Sequence, residues 1–531
     1  MSDERPINLR KKPKVLYVRH KNPSQTWRRQ GHNPDEFVKF LSHFFDISIQ
    51  AEDFDLLERC DIIQPELIIY EALGGNRTEL LKIRNPNVHN DTPRIGLMID
   101  DPHDTCRVRF VKFLNDMGVT KVFSISSALV RQSPEFSGST FSMPHQFDVE
   151  EFDNFSLKKI IPISVFGFGS YSPMYNWRSQ NLPQLIGEFP TLVYRHPGYG
   201  DVKLPHRFSV TGREYGELLN QSYFSIADGT RSAYCVRKHI EIPASFSVLV
   251  SPEFEELKQY GFKDMENCIM GTGRILLEKI AEVSGDAELY RRICRAGYDH
   301  VHEHYDYRKN NLIFDWFVAE KNKNPDEEVI QNCEFGGFSK IEIVKKVTQL
   351  KKRSRNDSDY QKSMNNALLT ILDNHSTESD EKKLLEVVDW CHYQEPWVLL
   401  GLISLLNGDY KTAADRLLQP YKIRLNRDGQ ASLDPVEAGW LWFLCILIGD
   451  EKNTEMYESQ IGAMAHVLCR RFLKLSELFA GRISQLEACE ETEFERSKDL
   501  WSIHWVGAHI SFDEWKKLIL RMIDVQQRQV N

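Results

Sequence analysis

The residues best suited to chemistry lie between Arg231 and Lys263, where basic side chains precede a predicted helix with a single glutamate. Arg237, Lys238 and Glu241 are spaced at i, i+1 and i+4, so Arg237 and Glu241 share one side of a helical turn. Cations beside one carboxylate suit a nucleoside diphosphate, because the cations neutralise the phosphates and the carboxylate accepts hydrogen bonds from ribose hydroxyls. We therefore expect a nucleotide-diphosphate site here. The alternative is a surface helix on which Glu241 merely pairs with Arg237.

The segments on either side of this helix fit the same expectation. Ser247–Val250 is a short, apolar and partly β-branched run, as expected of a buried parallel strand. Ser225–Ala233 is a loop rich in glycine and hydroxyl residues, and its backbone N–H groups favour a phosphate. Thr230 on this loop is therefore a further candidate for binding the nucleotide.

A second candidate lies in the loop Asp100–Asp104, which follows an apolar run. His103 could hydrogen-bond a sugar hydroxyl, and Asp101 could orient that sugar or act as a base toward an acceptor hydroxyl. We take Asp101 and His103 as the candidate catalytic residues. Two alternatives remain open: the three aspartates of the loop could bind a divalent cation, or the segment is an Asp-Pro turn whose carboxylates cap a helix.

Glycines and an arginine follow the first strand predicted for a second domain. Gly167 and Gly169 would let a ligand approach the backbone, and Arg178 could reach a phosphate. The sequence FGFGS is not the dinucleotide fingerprint G-x-G-x-x-G, so a dinucleotide cofactor is disfavoured. Tyr199, near another strand end, could stack on a base or sugar, although a simple Pro-Gly turn explains its segment equally well.

The elements that position these residues are short apolar runs alternating with helical stretches. The first series of predicted strands is Lys14–Arg19, Pro65–Tyr70, Arg94–Ile99 and Lys121–Ile125. The second series is Ile160–Phe168, Thr191–Arg195, Tyr223–Ala227 and Phe246–Val250. Such alternation indicates βαβ units and parallel sheets covered on both faces, hence an α/β fold. Two such domains enclose a cleft, and ligands bind outside the carboxyl ends of the strands.

The chain divides into four predicted segments. An N-terminal α/β domain spans 1–153, a second α/β domain spans 154–322, a linker spans 323–365 and an all-α domain spans 366–531. In the last segment, small and apolar residues match the spacing of one tetratricopeptide unit. They are Trp397, Leu400, Gly401, Gly408, Tyr410, Ala413 and Leu417. A second, weaker match to the same unit lies at Leu441–Tyr457 around Gly449. Gly408 and Ala413 would let two antiparallel helices approach closely. A helical bundle with a chance match is the alternative.

Composition restricts the class of protein. A length of 531 residues requires several domains, and a net charge of −9 argues against a dedicated nucleic-acid binder. The start, MSDERPINLRKKPK, has no apolar core of a secretory signal. Ten cysteines without a C-x-x-C pair suit reduced thiols and disfavour structural zinc. We expect a cytoplasmic protein. The basic segment Lys345–Arg355 could contact the inner face of a membrane, although an exposed linker is the simpler account.

The pattern around the first candidate helix resembles a known group. Basic–x–x–E–x–x–A–S–x–S–V–L–V, followed by E–E–L and G–F, is similar to the donor site of GT-B glycosyltransferases, in particular the bacterial family-four-like and spore-maturation-type (CgeB-like) enzymes. The resemblance extends over roughly residues 14–320 and is one of order and spacing. In that group the carboxylate matching Glu241 holds the ribose, and nearby Arg or Lys residues hold the diphosphate. Classical members carry a second glutamate eight residues earlier, where this chain has Ala233.

The resemblance implies a GT-B architecture: two Rossmann-like domains facing a cleft, with a terminal helix that crosses back to the first domain. It also implies a metal-independent enzyme without a cofactor, which moves a sugar from a nucleotide-activated donor to a hydroxyl of a glycan, a lipid-linked intermediate or a protein. The helical C-terminal domain would recruit a protein partner or drive self-association. The alternative, favoured by Ala233, is a non-catalytic interaction protein with a degenerate nucleotide-sugar fold and helical repeats.

Overall fold

The computed structural model describes most of the chain, with gaps. The described residues are 11–19, 35–71, 81–99, 105, 107–127, 140–167, 173–195, 210–342, 359–373, 378–390, 392–429, 431–464, 466–482, 484–486, 502–504, 506 and 510–530.

The first unit is built on a six-stranded parallel sheet, whose central strands are fully buried apolar runs. The strands before residue 153 are β1 (Lys14–Val18), β2 (Asp46–Gln50), β3 (Phe54–Asp55), β4 (Leu67–Glu71), β5 (Ile83–Arg84), β6 (Arg94–Met98), β7 (Lys121–Ser124) and β8 (Thr140–Ser142). The main sheet has the order β2-β1-β4-β6-β7-β8, and β3 pairs with β5 separately. The helices of this unit are α1 (Glu36–Ser42), α2 (Leu56–Ile63) and α3 (Arg107–Asp116).

The second unit repeats this plan with five parallel strands in the order β10-β9-β11-β12-β13. These strands are β9 (Ile161–Gly167), β10 (Thr191–Arg195), β11 (Ser222–Ile226), β12 (Val248–Ser251) and β13 (Ile269–Met270). The helices are α4 (Asn176–Glu188), α5 (Gly212–Asn220), α6 (Lys238–Ala244), α7 (Glu255–Gln259), α8 (Gly273–Gly285) and α9 (Ala287–His304). All eight strands predicted from apolar runs are present in the two sheets.

After the second unit the chain returns to the first. Helix α10 (Leu312–Lys321) buries Ile313, Trp316 and Phe317 in the same core cluster as the strands β1, β4, β6 and β7. The Trp316 ring lies against Phe123 of β7, with 5.8 Å between the ring centroids. The expected helix that crosses back to the first domain is therefore confirmed.

Part of the predicted linker is also structured. Strands β14 (Glu327–Gln331) and β15 (Phe338–Glu342) form an antiparallel hairpin. The Gln331 side chain accepts a hydrogen bond from the backbone N of Ser142 and donates one to its carbonyl oxygen, both at 2.8 Å. The hairpin thus packs on the edge of the first sheet, and the segment 323–365 is more than a linker.

The remaining described residues, from 359 to 530, are helical, and we call them the helical region. The helices are α11 (Asp359–Asp373), α12 (Glu378–Val388), α13 (Glu395–Leu406), α14 (Tyr410–Leu417), α15 (Gln419–Asp428), α16 (Pro435–Ile448), α17 (Glu451–Gly462), α18 (Val467–Phe479) and α19 (Phe512–Val530). All of them except α15 contribute side chains to one large apolar core. The predicted α/β class, two Rossmann-like units with parallel sheets followed by an all-α region, is confirmed, and the GT-B assignment stays a prediction. None of the helices in the described ranges has the length and apolar character needed to cross a bilayer.

The two helical hairpins α13–α14 and α16–α17 share one design. In each, a glycine with positive φ ends the first helix, at Gly408 (φ 71°) and Gly449 (φ 71°), and an aspartate caps the second. Gly408 therefore forms the turn, and an added Cβ there would collide with the Gln529 side chain of α19, not with α14 as expected from the sequence. The close contact with α14 belongs to Gly401, where an added Cβ would lie 2.6 Å from Cγ of Leu417. A tetratricopeptide classification of these hairpins stays a prediction.

A buried charge network holds residues 502–504 and 506 to the helical core. His504 is fully buried, with Nδ1 at 2.7 Å from a Glu395 oxygen and Nε2 at 2.7 Å from a Glu437 oxygen. Arg424 forms a two-pronged ion pair with Glu437. Although burial alone would lower it, the pKa of His504 is raised to about 10 by the surrounding carboxylates, so the imidazole is held protonated.

Candidate functional site

Two cations of the second unit converge at the carboxyl end of β9. Its last residue, Gly167, has φ of 138°, which a residue with a side chain rarely adopts. A Cβ at this position would lie 2.8 Å from Nη1 of Arg178 and 3.0 Å from Nζ of Lys238. Arg178 comes from the first turns of α4 and Lys238 from the first residue of α6. The guanidinium group of Arg178 and the ammonium group of Lys238 thus lie directly over the backbone of Gly167, which has no side chain of its own.

The two cations are close to a buried carboxylate. Asp228, which follows β11, forms an ion pair with Arg178, and both side chains are almost fully buried. Lys238 donates a hydrogen bond to the carbonyl oxygen of Phe166 on β9. Burial and the positive charge of Arg178 lower the pKa of Lys238 to about 8. We call Gly167, Arg178, Asp228 and Lys238 the cation cluster. The second positive charge of this cluster, on Lys238, costs free energy because the ammonium group is withdrawn from water.

Arg237 lies one residue before Lys238 and links the two units. Its Nε is 3.1 Å from a carboxylate oxygen of Glu241, one turn further along α6. Its two terminal nitrogens donate to both carboxylate oxygens of Glu36 on α1 of the first unit, at 2.5 and 2.6 Å. Such a two-pronged pair is the strong form of the arginine–carboxylate interaction. The Glu36–Arg237 bridge therefore holds α1 against α6 across the junction of the units.

Helix α1 has a second attachment beside this bridge. Lys39, one turn after Glu36, contacts Asp148 at 2.5 Å and Glu150 at 2.7 Å on the segment that leads into the second unit. Burial raises the pKa of Glu36 to about 7, although the Arg237 charge opposes the rise. Lys39 instead lowers the pKa of Glu150, so Glu36 is the more easily protonated of these two glutamates.

A cavity of about 410 Å³ lies between the units beside the Glu36–Arg237 bridge. Glu71 lines it at the carboxyl end of β4, and burial raises the pKa of this carboxyl group to about 7. Most of the other lining side chains are apolar, and they include Phe37, Phe40, Leu41, Ile99, Ile125, Met143, Ile313 and Phe335. The cavity reaches Arg237 but does not include Arg178 or Lys238 in its lining. Its position and lining suit a small hydroxyl compound with apolar parts.

The structure brings together four of the residues predicted from the sequence: Arg178, Arg237, Lys238 and Glu241. Glu241 does pair with Arg237, but it is only 6% exposed, so the alternative of a surface helix is wrong. Thr230 lies on the loop that carries the cluster's aspartate, and its Oγ1 accepts a hydrogen bond from the Ser232 backbone at 3.2 Å.

Four predicted residues lie outside the described part of the chain, namely Asp101, His103, Gly169 and Tyr199. Their roles stay predictions. Within the described ranges, no group of three His, Cys, Asp or Glu side chains is arranged to hold a metal ion. The Asp100–Asp104 loop, which the sequence offers as an alternative cation site, also lies outside the described residues.

Sequence reasoning missed two carboxylates that join the units. One is Glu36. The other is Glu256 on α7, which is fully buried and accepts hydrogen bonds from the Ser127 hydroxyl at 2.6 Å and from the Cys235 backbone at 2.8 Å. Ser127 belongs to the first unit, and Cys235 lies two residues before Arg237. No local pattern distinguishes these glutamates from solvated ones, because their partners are distant in sequence.

Comparisons with protein-family models and with curated proteins give no match. Among solved structures, the chain is similar to HepE from Anabaena in complex with UDP and glucose, with 12% identity over 58% of this chain and 99% of that one and a TM-score of 0.37. A glycosyltransferase from Rickettsia africae gives 13% identity, 59% and 100% coverage and a TM-score of 0.36. An alpha-glucosyltransferase bound to UDP and DNA gives 10% identity, 55% and 96% coverage and a TM-score of 0.36. At identities and scores this low, the alignments carry no argument about activity.

Proposed function

We propose that this protein is a glycosyltransferase that moves a sugar from a nucleoside-diphosphate donor to a hydroxyl acceptor. The observation that carries the proposal is the convergence of Arg178 and Lys238 over Gly167. Two cations at the carboxyl end of a parallel strand, above a backbone without a side chain, fit a diphosphate. Arg237 is a third cation one residue away, and Glu241 beside it is the acceptor for ribose hydroxyls.

The reaction places a specific demand on these cations. The bond between the sugar C1 and the diphosphate oxygen breaks, a bond from C1 to the acceptor oxygen forms, and the acceptor hydroxyl loses its proton to a base. Negative charge develops on the departing diphosphate, so fixed cations near it stabilise the transition state more than the ground state. Arg178 and Lys238 fill that role. Asp101 and His103 remain the residues predicted to act on the acceptor side.

Arg178 and Arg237 each have a carboxylate partner, whereas Lys238 donates to the carbonyl oxygen of Phe166. Arg178 pairs with Asp228, and Arg237 pairs with Glu36 and Glu241. A diphosphate competes with these carboxylates for the same donors. On this proposal the nucleotide displaces Glu36 from Arg237, and the cavity beside the bridge receives the acceptor.

The test is a thermal-shift screen of the full chain against UDP, GDP, CMP, ADP and dTDP, with and without magnesium. A ligand specific to the folded state raises the unfolding temperature by mass action. We expect one nucleotide to stand out, and the shift to be lost in Glu241→Ala. The matched control is Glu278→Ala on α8, since Glu278 also forms an i,i+4 pair with an arginine, Arg274, at 3.0 Å.

The donor reaction is tested next, with the corresponding nucleotide sugar. Hydrolysis and transfer are expected to fall in both Arg237→Ala and Glu241→Ala. Unchanged turnover in both variants would show that this site assignment is wrong. Binding of a nucleotide without turnover, in the presence of many acceptors, would favour the non-catalytic interaction protein instead.

A further inference from the structure

The helical region touches the second unit at the loop that leads from the cluster's aspartate to α6. Ser232 on this loop is fully buried, and its hydroxyl is hydrogen-bonded to the hydroxyl of Tyr393, which precedes α13. The Tyr393 ring stacks on that of Tyr360 on α11, with 3.9 Å between centroids and an interplanar angle of 18°. The stack fixes the direction of the Tyr393 hydroxyl, and through it the position of Ser232.

The preceding loop residue makes a second attachment. The Arg231 guanidinium lies over the Trp390 ring, 3.7 Å from its centroid, and approaches Asp359 to 3.9 Å. A cation that is stacked on an indole ring and partly withdrawn from water stabilises the folded protein more than an exposed ion pair does. Consecutive loop residues 231 and 232 are thus both held from the side of the helical region.

The same surface also holds the segment that leads into α4. Met174 is part of the apolar core of the helical region, and Tyr175 packs against that core. The backbone N of Arg231 donates to the carbonyl oxygen of Met174 at 3.0 Å. The Arg178 guanidinium lies over the Tyr175 ring, 4.8 Å from its centroid. The helical region therefore supports both chain segments that supply the Arg178–Asp228 ion pair.

We propose that Tyr393 is a positioning residue for the cation cluster, and that the helical region is thereby a structural part of the donor site. This inference rests on the proposed function, since it assigns the cluster to a nucleoside diphosphate. Tyr393 contacts neither substrate nor the reacting atoms; it acts through Ser232 on the loop that presents Asp228 and Lys238. The helical region would then determine the affinity for the donor by supporting this loop, whether or not the region also binds a partner protein.

The variant Tyr393→Phe tests this, because it keeps the stack on Tyr360 and removes only the hydroxyl. Only the part of this hydrogen bond's free energy that differs between the free and the bound protein changes affinity, so the dissociation constant of the nucleotide selected by the thermal-shift screen should rise measurably, by up to about fivefold. Ser232→Ala is expected to give a similar rise. The double variant should lose no more than Tyr393→Phe alone, because Tyr393→Phe already breaks the bond to Ser232, together with a 4.0 Å contact of its hydroxyl with Sδ of Met174.

The matched control is Tyr457→Phe on α17, which removes a tyrosine hydroxyl from the same region away from the loop. It should bind the nucleotide like the wild type. Equal affinity in Tyr393→Phe and the wild type would overturn the proposal. An equal loss in Tyr457→Phe would also overturn it, because the effect would then be a general loss of stability.

Hydrogen exchange separates this proposal from the proposed function. In the nucleotide-free protein, Tyr393→Phe should speed amide exchange in residues 229–238 while leaving the second sheet unchanged. If the wild type binds none of the nucleotides, the proposed function fails, and faster exchange in 229–238 would still support the positioning role. Unchanged exchange there would contradict it.

Discussion

The pKa of Lys238 gives a quantitative prediction for nucleotide binding. The ammonium group has a pKa of about 8 in the ligand-free protein, against 10.5 for an unperturbed lysine. Bound phosphates favour the charged form, so binding raises this pKa and takes up a proton. At pH 8 about half of the molecules lack the proton, so Lys238 contributes an uptake of about 0.5 proton per nucleotide, and at pH 6.5 its contribution is close to zero. Glu36, whose pKa is about 7, contributes equally to the wild type and to a variant of Lys238.

The same linkage fixes the pH dependence of affinity. Below pH 8 Lys238 is already protonated and affinity does not depend on this group. Above pH 8 the protonated fraction falls tenfold per pH unit, so between pH 7 and pH 9.5 the dissociation constant should rise about 30-fold. For folding the sign is opposite, because the unfolded chain binds more protons than the folded one between pH 8 and 10.5. The stability penalty from Lys238 is therefore complete below pH 8, decreases between pH 8 and 10.5, and is absent above 10.5.

The assay is titration calorimetry at pH 6.5 and pH 8 in two buffers with different ionisation enthalpies. The dependence of the measured enthalpy on the buffer gives the number of protons taken up. The control is Lys238→Arg, which keeps a positive charge that does not titrate in this range. We expect it to bind with little proton uptake at pH 8. Absence of uptake by the wild type at pH 8, or the same uptake in Lys238→Arg, would refute the assignment of a diphosphate to this lysine.

Three further predictions concern other parts of the account. Gly167→Ala should abolish nucleotide binding in calorimetry, because its Cβ would displace both cations and the backbone angle would be strained; normal binding would contradict the cluster. Glu36→Gln should bind nucleotide several-fold more tightly, because Arg237 loses a charged competitor; weaker binding in the same titration would show that Glu36 positions Arg237 instead. The protonated His504 stabilises the fold fully below pH 6.5, and this contribution is lost as the pH rises through about 10. At pH 7 the free energy of unfolding of His504→Gln should therefore be about 3 kcal/mol lower than that of the wild type, and this difference should shrink between pH 7 and pH 10, since groups such as Lys238 affect both proteins equally. Parallel pH curves for the two proteins would contradict this.

The parts of the structure that were predictable depend on local patterns. Buried parallel strands are short apolar runs, so the two sheets follow from the sequence, and the i,i+4 spacing places Arg237 beside Glu241. The bridge to Glu36 could not be predicted, because it joins residues 201 positions apart and depends on how the units pack. The hairpin after α10 was missed for a different reason. Its strands consist mostly of polar residues that are partly or fully exposed, and among their residues only Val329 is fully buried. They therefore lack the apolar run by which the other strands are predicted.

Spacing alone also misassigned one glycine of the helical region. Gly408 matches a repeat position by its distance along the chain, yet its positive φ shows that the turn requires it. Gly401 makes the close approach to Leu417 because the two helices cross there. A sequence pattern indicates that a small residue is needed at a position. The packed structure shows whether the reason is a positive φ angle or a close contact with a neighbouring helix.

The most direct test of the central claim is a crystal structure of the full chain with the nucleoside diphosphate selected by the thermal-shift screen. We expect phosphate oxygens about 3 Å from the Arg178 and Lys238 nitrogens, above Gly167, with the ribose hydroxyls at Glu241. We also expect Arg237 to be released from Glu36. A diphosphate bound elsewhere, with the cation cluster unchanged and still closed by its own carboxylates, would contradict the central claim.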